Sequence, residues 1–286
     1  MDETLHSIWH ALSHSLKELL FTAPFLFLAY LLMEYIEHKS SEKMEKTISK
    51  IGKFGPLAGT GLGLVPQCGF SASCSNLYAT GLITEGTLIA VFLATSDEAI
   101  PILLSSPDIM GSAWKFILIK VIFGITVGFG VDIMLRLFKV KKQEVELCKD
   151  CGCEEEDGIL KPAIKHTLKT ALFIFIVSFA LGLVMEFIGE ELISQVFLSD
   201  SYAQPFIAAL LGLIPNCSVS VVMMELYANG VLSFGATCAG LCSGAGIGLA
   251  VLFKTNKSLK ENLRIVGILY FAAAMIGFFL MLFGVN

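Results

Sequence analysis

The chain has 286 residues, of which 55% are apolar and only 16% are charged, and its formal net charge is −5. A soluble domain typically carries about 25% charged residues, so this composition excludes an ordinary water-soluble fold. The charges lie in a few connecting segments and form no basic patch, which gives no support for nucleic-acid binding. Five of the eight cysteines lie in apolar stretches, so we expect reduced thiols and no disulfide framework.

Residues 1–16 predict an amphipathic N-terminal helix, and six long apolar blocks follow it. Each block is close to the roughly 20 residues that a helix needs to cross a bilayer. We expect the first block to be retained, because acidic and histidine residues precede it and no small-residue cleavage site follows it. The blocks are Leu19–Ile36, Leu88–Leu104, Phe116–Leu135, Leu168–Ile188, Ala236–Phe253 and Ile265–Phe283. The sequence therefore predicts an all-α, multi-pass protein of the cell (inner) membrane.

A segment of the first half of the chain recurs in the second half. The run that begins at Gly63 reads GLVPQCGFSASCSNLYATGLITEG, and it aligns without gaps with GLIPNCSVSVVMMELYANGVLSFG, which begins at Gly212. The alignment pairs Pro66 with Pro215, Cys68 with Cys217, Ser71 with Ser220, Tyr78 with Tyr227 and Gly81 with Gly230. The chain then divides into a first repeat (17–137), a linker (138–161) and a second repeat (162–286).

Each repeated segment is predicted to be a re-entrant helical hairpin, because its proline removes a backbone donor and ends a helix near the preceding residue. Lys- and Arg-rich loops follow the first, third and fifth apolar blocks, and such loops favour the cytoplasmic side. Residues 56–82 then begin and end inside, whereas 205–229 begin and end outside. Each repeat contains three transmembrane helices and one hairpin, which gives ten segments when hairpin arms are counted. Because three crossings is odd, the two repeats have inverted topology and both termini are predicted to be extracytoplasmic.

Irregular backbone at membrane depth needs a polar cavity, so the two hairpin tips predict a substrate site near the midplane. The candidate substrate-binding residues are Gln67, Cys68, Ser71, Asn76, Asn216, Cys217, Ser220 and Glu225. Asp97 and Glu98 lie inside an apolar block, where a charge costs about 2.5–3.5 kcal/mol, so we assign them to ion coupling. Structural alternatives stay open, since a buried carboxyl can be a protonated, hydrogen-bonded group and a buried cysteine can act as a small apolar residue.

The linker contains a cluster of thiols in the sequence CKDCGCEEEDG. Cys148, Cys151 and Cys153 lie within six residues of one another beside four acidic residues, and thiolates select soft metals over hard cations. We expect a cytoplasmic metal-binding loop here. A solvated acidic loop with incidental cysteines is the alternative.

The duplicated LGL(V/I)P(Q/N)C hairpins and the cysteine-rich linker together resemble the ten-segment heavy-metal exporters related to arsenic-efflux permeases. The resemblance covers almost the whole chain and implies export of a toxic metal or metalloid from the cytoplasm. The thiols favour arsenic(III), antimony(III) or a soft metal. An exporter of Mn(II) or another divalent cation is the alternative, since an oxygen-rich set suits Mn²⁺. That set is Asp97, Glu98, Glu225, Asn76 and Asn216.

Other classes of membrane protein have less support. The sequence has no G-x-x-x-x-G-K-[ST] phosphate loop, which favours coupling to a proton or ion gradient over an ATP-driven pump. It also has no H-E-x-x-H or G-x-S-x-G motif, so we expect neither enzyme activity nor a cofactor. A channel or an intramembrane enzyme is the more distant alternative. The expected partners are the lipid bilayer and a small inorganic ion, without nucleic acid, and a homodimer is compatible with such a chain.

Overall fold

The computed structural model describes residues 2–38, 54–65, 67–95, 99, 103, 110–138, 160–196 and 202–284. These residues form eleven α-helices and one 3-10 turn (Met110–Ser112), and within these ranges there is no strand. The helices are α1 (Asp2–His38), α2 (Gly55–Gly63), α3 (Cys68–Ala79), α4 (Glu85–Ala94), α5 (Ala113–Leu137), α6 (Leu160–Val196), α7 (Gln204–Gly212), α8 (Ser218–Ala228), α9 (Phe234–Ser243), α10 (Ile247–Thr255) and α11 (Leu259–Leu282).

Five helical stretches of the described residues are long and apolar enough to cross a membrane. They are Ser15–Leu32, Ala113–Leu137, Leu160–Val184, Phe234–Thr255 and Leu259–Leu282. The long helices carry large apolar side chains on their outer faces, including Leu20, Leu118, Leu168 and Phe271, all of which are exposed in the isolated chain. Apolar side chains around the outside and helices that satisfy their own backbone are the arrangement that a bilayer requires. The chain is therefore a multi-pass, all-helical membrane protein.

Each of the two repeated segments consists of a pair of short helices. Helix α2 is followed by α3 after residues 64–67, and α7 is followed by α8 after residues 213–217. Both pairs end in a left-handed glycine, Gly81 (φ 82°) and Gly230 (φ 72°). The amide of each glycine donates to a tyrosine carbonyl at 3.0 Å, that of Tyr78 and Tyr227 respectively. Glycine closes a helix in this way because it lacks the Cβ that would clash.

The apolar block 236–253 differs from the expectation of one continuous span. Helix α9 ends at Ser243 and α10 begins at Ile247, so the chain is interrupted at residues 244–246. Gly246 has φ 53°, a conformation that residues with a side chain rarely adopt. In the equivalent block 88–104, α4 ends at Ala94 and most of the following residues lie outside the described ones. The glycines of the sequence Ser-Gly-Ala-Gly supply the physical reason for the break in the second repeat.

One close approach of three helices occurs at equivalent residues of the two repeats, 149 positions apart. In the first repeat, a Cβ on Gly128 of α5 would lie 2.8 Å from the Ala90 side chain of α4 and 2.9 Å from Pro56 of α2. The second repeat has the same close approach among α11, α9 and α7. There, a Cβ on Gly277 would lie 2.7 Å from Ala239 and 3.0 Å from Pro205. Glycine thus allows three helices to meet closely at the same place in each repeat.

The start of α4 lies beside the end of one long helix and the start of another. The Gly86 amide donates to Asp132 Oδ1 (2.9 Å) near the end of α5. The neighbouring Glu85 accepts a hydrogen bond from Arg264 Nε (2.9 Å) near the start of α11. Helix α5 thus ends near the start of α4, and α11 begins near it. These two long helices hold equivalent positions in the two repeats, and they pass the start of α4 in opposite directions.

Candidate functional site

Helices α3 and α8 begin next to each other, and a repeated cysteine lies at each start. Cys68 is the first residue of α3, and Cys217 immediately precedes Ser218 at the start of α8. Their Sγ atoms lie 3.0 Å apart, and neither cysteine is in a disulfide bond. Cys217 is buried, whereas Cys68 is half-buried. Two thiols that lie 149 residues apart in the sequence therefore meet across the boundary between the repeats.

The amide residue before each cysteine fixes the start of its helix. Gln67 Oε1 accepts from the Gly69 amide (2.6 Å), and Asn216 Oδ1 accepts from the Ser218 amide (2.8 Å). The other side of each amide is anchored on the first long helix of its own repeat: Gln67 Nε2 donates to the Phe21 carbonyl (2.5 Å), and Asn216 Nδ2 donates to the Ser178 carbonyl (3.3 Å). Both side chains are engaged with backbone groups, so they orient the two cysteines.

The other predicted substrate residues lie in unequal surroundings. Ser71 is buried one turn into α3, and its hydroxyl donates to the Cys68 carbonyl (2.9 Å). Ser220 is half-buried on α8. Asn76 is fully buried, whereas Glu225, which occupies the equivalent place on α8, is exposed. The two repeats are thus alike at the cysteines and differ in residue type and burial two turns further along each helix.

Asn76 belongs to a buried polar group between α1, α3 and α6. Its Oδ1 accepts from the Tyr30 hydroxyl (3.2 Å), which also lies 2.7 Å from Thr170 Oγ1. The Tyr30 ring stacks on His166, whose Nε2 lies 3.9 Å from Glu34 Oε1. Within the described residues, Asn76 Nδ2 is buried without a hydrogen-bond partner. A buried amide donor without a partner normally indicates a bound water molecule or ligand next to it.

Several predicted residues lie outside the described part of the chain. These are Asp97 and Glu98, assigned to coupling, and Cys148, Cys151 and Cys153, assigned to metal binding. Among the residues that the structure does describe, no three His, Cys, Asp or Glu side chains are grouped as a metal site. In the described part of the chain, the Cys68–Cys217 pair is therefore not part of a larger group of such side chains.

Lys120 is a buried lysine within α5 that the sequence analysis missed, since it lies inside the predicted span Phe116–Leu135. Its side chain is 3% exposed. The ammonium donates to the Leu241 carbonyl of α9 (2.8 Å) and to the Thr95 carbonyl directly after α4. A lone lysine in an apolar block was the signal available, because charges inside spans are expected to have partners.

A second missed feature is a charged cluster that joins the two repeats at the start of α4, here called the Glu85 cluster (Tyr78, Glu85, Glu261 and Arg264). Arg264 contacts both carboxylate oxygens of Glu85. The Tyr78 hydroxyl lies 3.3 Å from Glu85 Oε2 and 3.3 Å from Glu261 Oε2. Both carboxylates are only 6% exposed. Two acids of different repeats are thereby held around one tyrosine and one arginine.

The four equivalent positions, 149 residues away, form a second cluster that also joins the repeats. It is here called the Phe234 cluster (Ser112, Lys115, Tyr227 and Phe234). The Tyr227 hydroxyl donates to Ser112 Oγ (3.1 Å), and Lys115 Nζ lies 6.0 Å from the centre of the Phe234 ring. Phe116 packs on both rings, at 5.5 Å from Tyr227 and 4.5 Å from Phe234. This cluster is aromatic where the first is ionic.

The short broken helices, the buried charged groups and the exposed apolar faces of the long helices define a multi-pass membrane protein. The chain belongs to the family described as "Putative, 10TM heavy-metal exporter", whose sequence model matches residues 19–191 and 183–285. Comparison with curated proteins and with solved structures finds no match.

Proposed function

We propose that this protein is a secondary transporter that exports a heavy metal or metalloid, of the arsenic(III) type, from the cytoplasm. Its substrate site lies where the Cys68 and Cys217 thiols meet. Export is coupled to a proton or ion gradient. The family to which the chain belongs supports heavy-metal export in general, and the residues at the site support the thiophilic substrate.

The thiol pair is the observation that carries this proposal. Thiolate sulfur prefers soft metals and metalloids, and the Sγ atoms of Cys68 and Cys217 already lie 3.0 Å apart. Each thiol comes from a different repeat, so a bound ion would link the two halves of the molecule. A relative movement of the repeats would then change the side from which the ion is reached, which is the principle of alternating access.

We further propose that the two repeats are inverted and that the helix pairs α2–α3 and α7–α8 are re-entrant hairpins. The opposite directions of α5 and α11 past the start of α4 support the inversion. The two breaks in the backbone, before Cys68 and before Cys217, support a polar cavity, because unpaired backbone at membrane depth has to be covered by protein or water. Hairpins that enter from opposite sides would bring the two cysteines together.

The Glu85 cluster and the Phe234 cluster fit the two closures of such a transporter. Each cluster joins residues of both repeats, and they lie at opposite ends of α4 and α5. Glu85 is at the start of α4, near the end of α5. Ser112 and Lys115 lie at the start of α5, whose Lys120 contacts the residue after the end of α4. Separation of one cluster at a time would open the thiol pair to one side.

Manganese is the competing substrate, and the described residues give it less support. Asn76 Oδ1 is engaged by Tyr30, and Glu225 is exposed. Each of the two residues lies eight positions along a helix from the cysteine of its own repeat, which is about 12 Å, so neither oxygen joins the thiols in a common site. Asn216 uses its oxygen for the start of α8. The Mn²⁺ alternative therefore depends on Asp97 and Glu98, which lie outside the described residues.

The proposal is tested by uptake of arsenite and of Mn²⁺ into inverted membrane vesicles. Cys68→Ser and Cys217→Ser should each reduce arsenite uptake to near background, because a single thiol holds the ion far less well. Cys74→Ala is the matched control, since Cys74 is a buried thiol of the same helix α3 whose side chain packs in an apolar cluster. That variant should transport normally.

Replacement of the three linker cysteines separates collection of the ion from its transport. The variant with serine at Cys148, Cys151 and Cys153 should need a higher arsenite concentration for half-maximal uptake and should keep the maximal rate. Loss of all uptake in this linker variant, with normal uptake in both hairpin variants, would contradict the assigned site. Mn²⁺ uptake that survives the loss of either hairpin thiol would favour the manganese alternative.

A further inference from the structure

Lys120 has the surroundings of a bound cation. It lies within the membrane-spanning helix α5, is almost fully buried, and donates to the backbone carbonyls of Thr95 and Leu241. An ammonium at this depth is costly unless its hydrogen-bonding needs are met by protein groups. These two carbonyls come from helical segments of different repeats, so the side chain joins the halves of the molecule.

Both carbonyls belong to the last turn or the terminus of a short helix of ten residues. Thr95 caps the end of α4, and Leu241 lies in the last turn of α9 before the break at residues 244–246. Helix ends of this kind carry a partial negative charge and free carbonyl groups. In transporters with broken helices, such ends coordinate the coupling cation. The Lys120 ammonium occupies the corresponding place here.

Lys120 has no charged equivalent in the second repeat, although the helix ends occur in both repeats. The residue of the second repeat that is equivalent to Lys120 is Leu269, which is fully buried and apolar. The two ends therefore share one cation, and its removal would leave both ends without a positive partner. If the Lys120 amine loses its proton and later regains it, its hold on the two helix ends weakens and is then restored.

Among the described residues, few other titratable groups face Lys120. Cys238 and Cys242 of α9 interact electrostatically with it. Helix α4 has only Glu85, at its opposite end, and α2 contributes no titratable residue. On α5 itself, Lys115, Asp132 and Arg136 are the other charged residues. The contacts of Lys120 that carry the argument are those with the carbonyls of Thr95 and Leu241.

We propose that the ends of α4 and α9 form a monovalent-cation site that the Lys120 ammonium fills, and that reversible proton loss from Lys120 is the coupling step. When the ammonium gives its proton to water, the neutral amine keeps two N–H donors but loses the charge that strengthens its bonds to the two helix ends, so the repeats can move apart. Uptake of a proton from the opposite side restores the ammonium and the starting arrangement. The coupling step rests on the transport function proposed above, whereas the cation site does not.

The cation site is tested without any transport assay, by chemical rescue of stability. Lys120→Ala removes the atoms of an n-propylammonium ion, so the purified variant should melt at a lower temperature and should regain at least half of that loss when n-propylammonium is added. Lys17→Ala, which changes an exposed lysine of α1, is the control and should not respond. If Lys120→Ala does not fold, Lys120→Met keeps the length of the side chain, and ammonium ion replaces n-propylammonium as the probe. Absence of rescue in the folded variant overturns the site.

The coupling step is tested in proteoliposomes with arsenite and with Mn²⁺, each with and without a pH gradient. Lys120→Arg keeps a cation and its donors but does not release a proton, so the stimulation of uptake by the gradient should fall about tenfold. Exchange of labelled for unlabelled ion at zero gradient should continue. The coupling role is wrong if the gradient stimulates uptake by Lys120→Arg as strongly as uptake by the wild type. It is also wrong if the Lys120→Arg variant is monodisperse but no longer exchanges labelled for unlabelled ion. If the wild type exchanges neither ion, the proposed function fails, and the rescue experiment still decides the cation site.

Discussion

The Glu85 cluster and the Phe234 cluster occupy equivalent places in the two repeats but are built from different chemistry. In both, a tyrosine of the short helix pair reaches across to the start of the long helix of the other repeat. The Glu85 cluster adds two carboxylates and a guanidinium, whereas the Phe234 cluster adds an aromatic ring and an ammonium. The duplicated backbone has therefore kept the positions at which the repeats touch, and the side chains at those positions have diverged.

This difference has an energetic consequence. Hydrogen bonds to charged partners contribute about 1.5–3 kcal/mol each, against about 0.5–1.5 kcal/mol for neutral pairs. A cation over an aromatic ring contributes about 0.5–1 kcal/mol when partly exposed. We expect the end with the Phe234 cluster to separate more readily than the end with the Glu85 cluster. In a transporter with two closures, such a bias sets which side the resting molecule faces.

The largest effect should come from Arg264→Ala, compared with the equivalent change Lys115→Ala. Loss of the guanidinium leaves the buried Glu85 carboxylate without its cation, which costs about 2–4 kcal/mol once the partial exposure of Arg264 is allowed for. Loss of the Lys115 ammonium from the Phe234 ring should cost under about 1 kcal/mol. The free energy of unfolding in mixed detergent micelles measures both. Equal losses would mean that the ionic cluster is no stronger than the aromatic one.

Gly128→Ala and Gly277→Ala test a place where the two repeats share the same contact. The two variants should therefore lose the same free energy of unfolding. An added Cβ would lie 2.8 Å from the Ala90 side chain in the first case and 2.7 Å from Ala239 in the second. Either approach forces the helices apart, and overpacking of this kind costs about 1–3 kcal/mol. Gly130→Ala, at a site of α5 with open space around it, is the control. A large difference between the first two variants in the same unfolding assay would show that the repeats are not equivalent in packing.

The repeat itself could be read from the sequence, because proline, cysteine and glycine keep their spacing for backbone reasons. Gly81 and Gly230 adopt positive φ, and Cys68 and Cys217 lie at the starts of equivalent short helices. The helical, multi-pass membrane fold followed from the apolar blocks, and the family match confirms the resemblance to the ten-segment exporters. The close approach of the two cysteine sulfurs is an observation of the structure. The re-entrant tips and their part in substrate binding stay predictions.

The two clusters and the role of Lys120 could not be predicted in the same way. Glu85 and Arg264 lie 179 residues apart, and no repeat relation pairs them, because the partner of Glu85 in the alignment is Phe234. A contact between non-equivalent positions of two repeats depends on how the repeats are oriented, which a local pattern does not contain. The break at residues 244–246 was also missed, since its flanks are as apolar as a continuous span and only the glycines mark it. Single charges inside apolar blocks, such as Lys120 and Asp132, were the available signal.

The smallest and most selective test compares Tyr78→Phe with Tyr227→Phe, which remove one hydroxyl from equivalent places. The Tyr78 hydroxyl lies between two carboxylates, so its loss should cost about 2 kcal/mol, whereas the Tyr227 hydroxyl meets a serine and its loss should cost about 1 kcal/mol. Each change should also ease opening at its own end of the molecule. In a variant whose only cysteine is Cys68, an impermeant maleimide should label Tyr78→Phe faster than the parent from the side of the Glu85 cluster, and Tyr227→Phe faster from the opposite side. Faster labelling of both variants from the same side would contradict the assignment of the clusters to opposite closures.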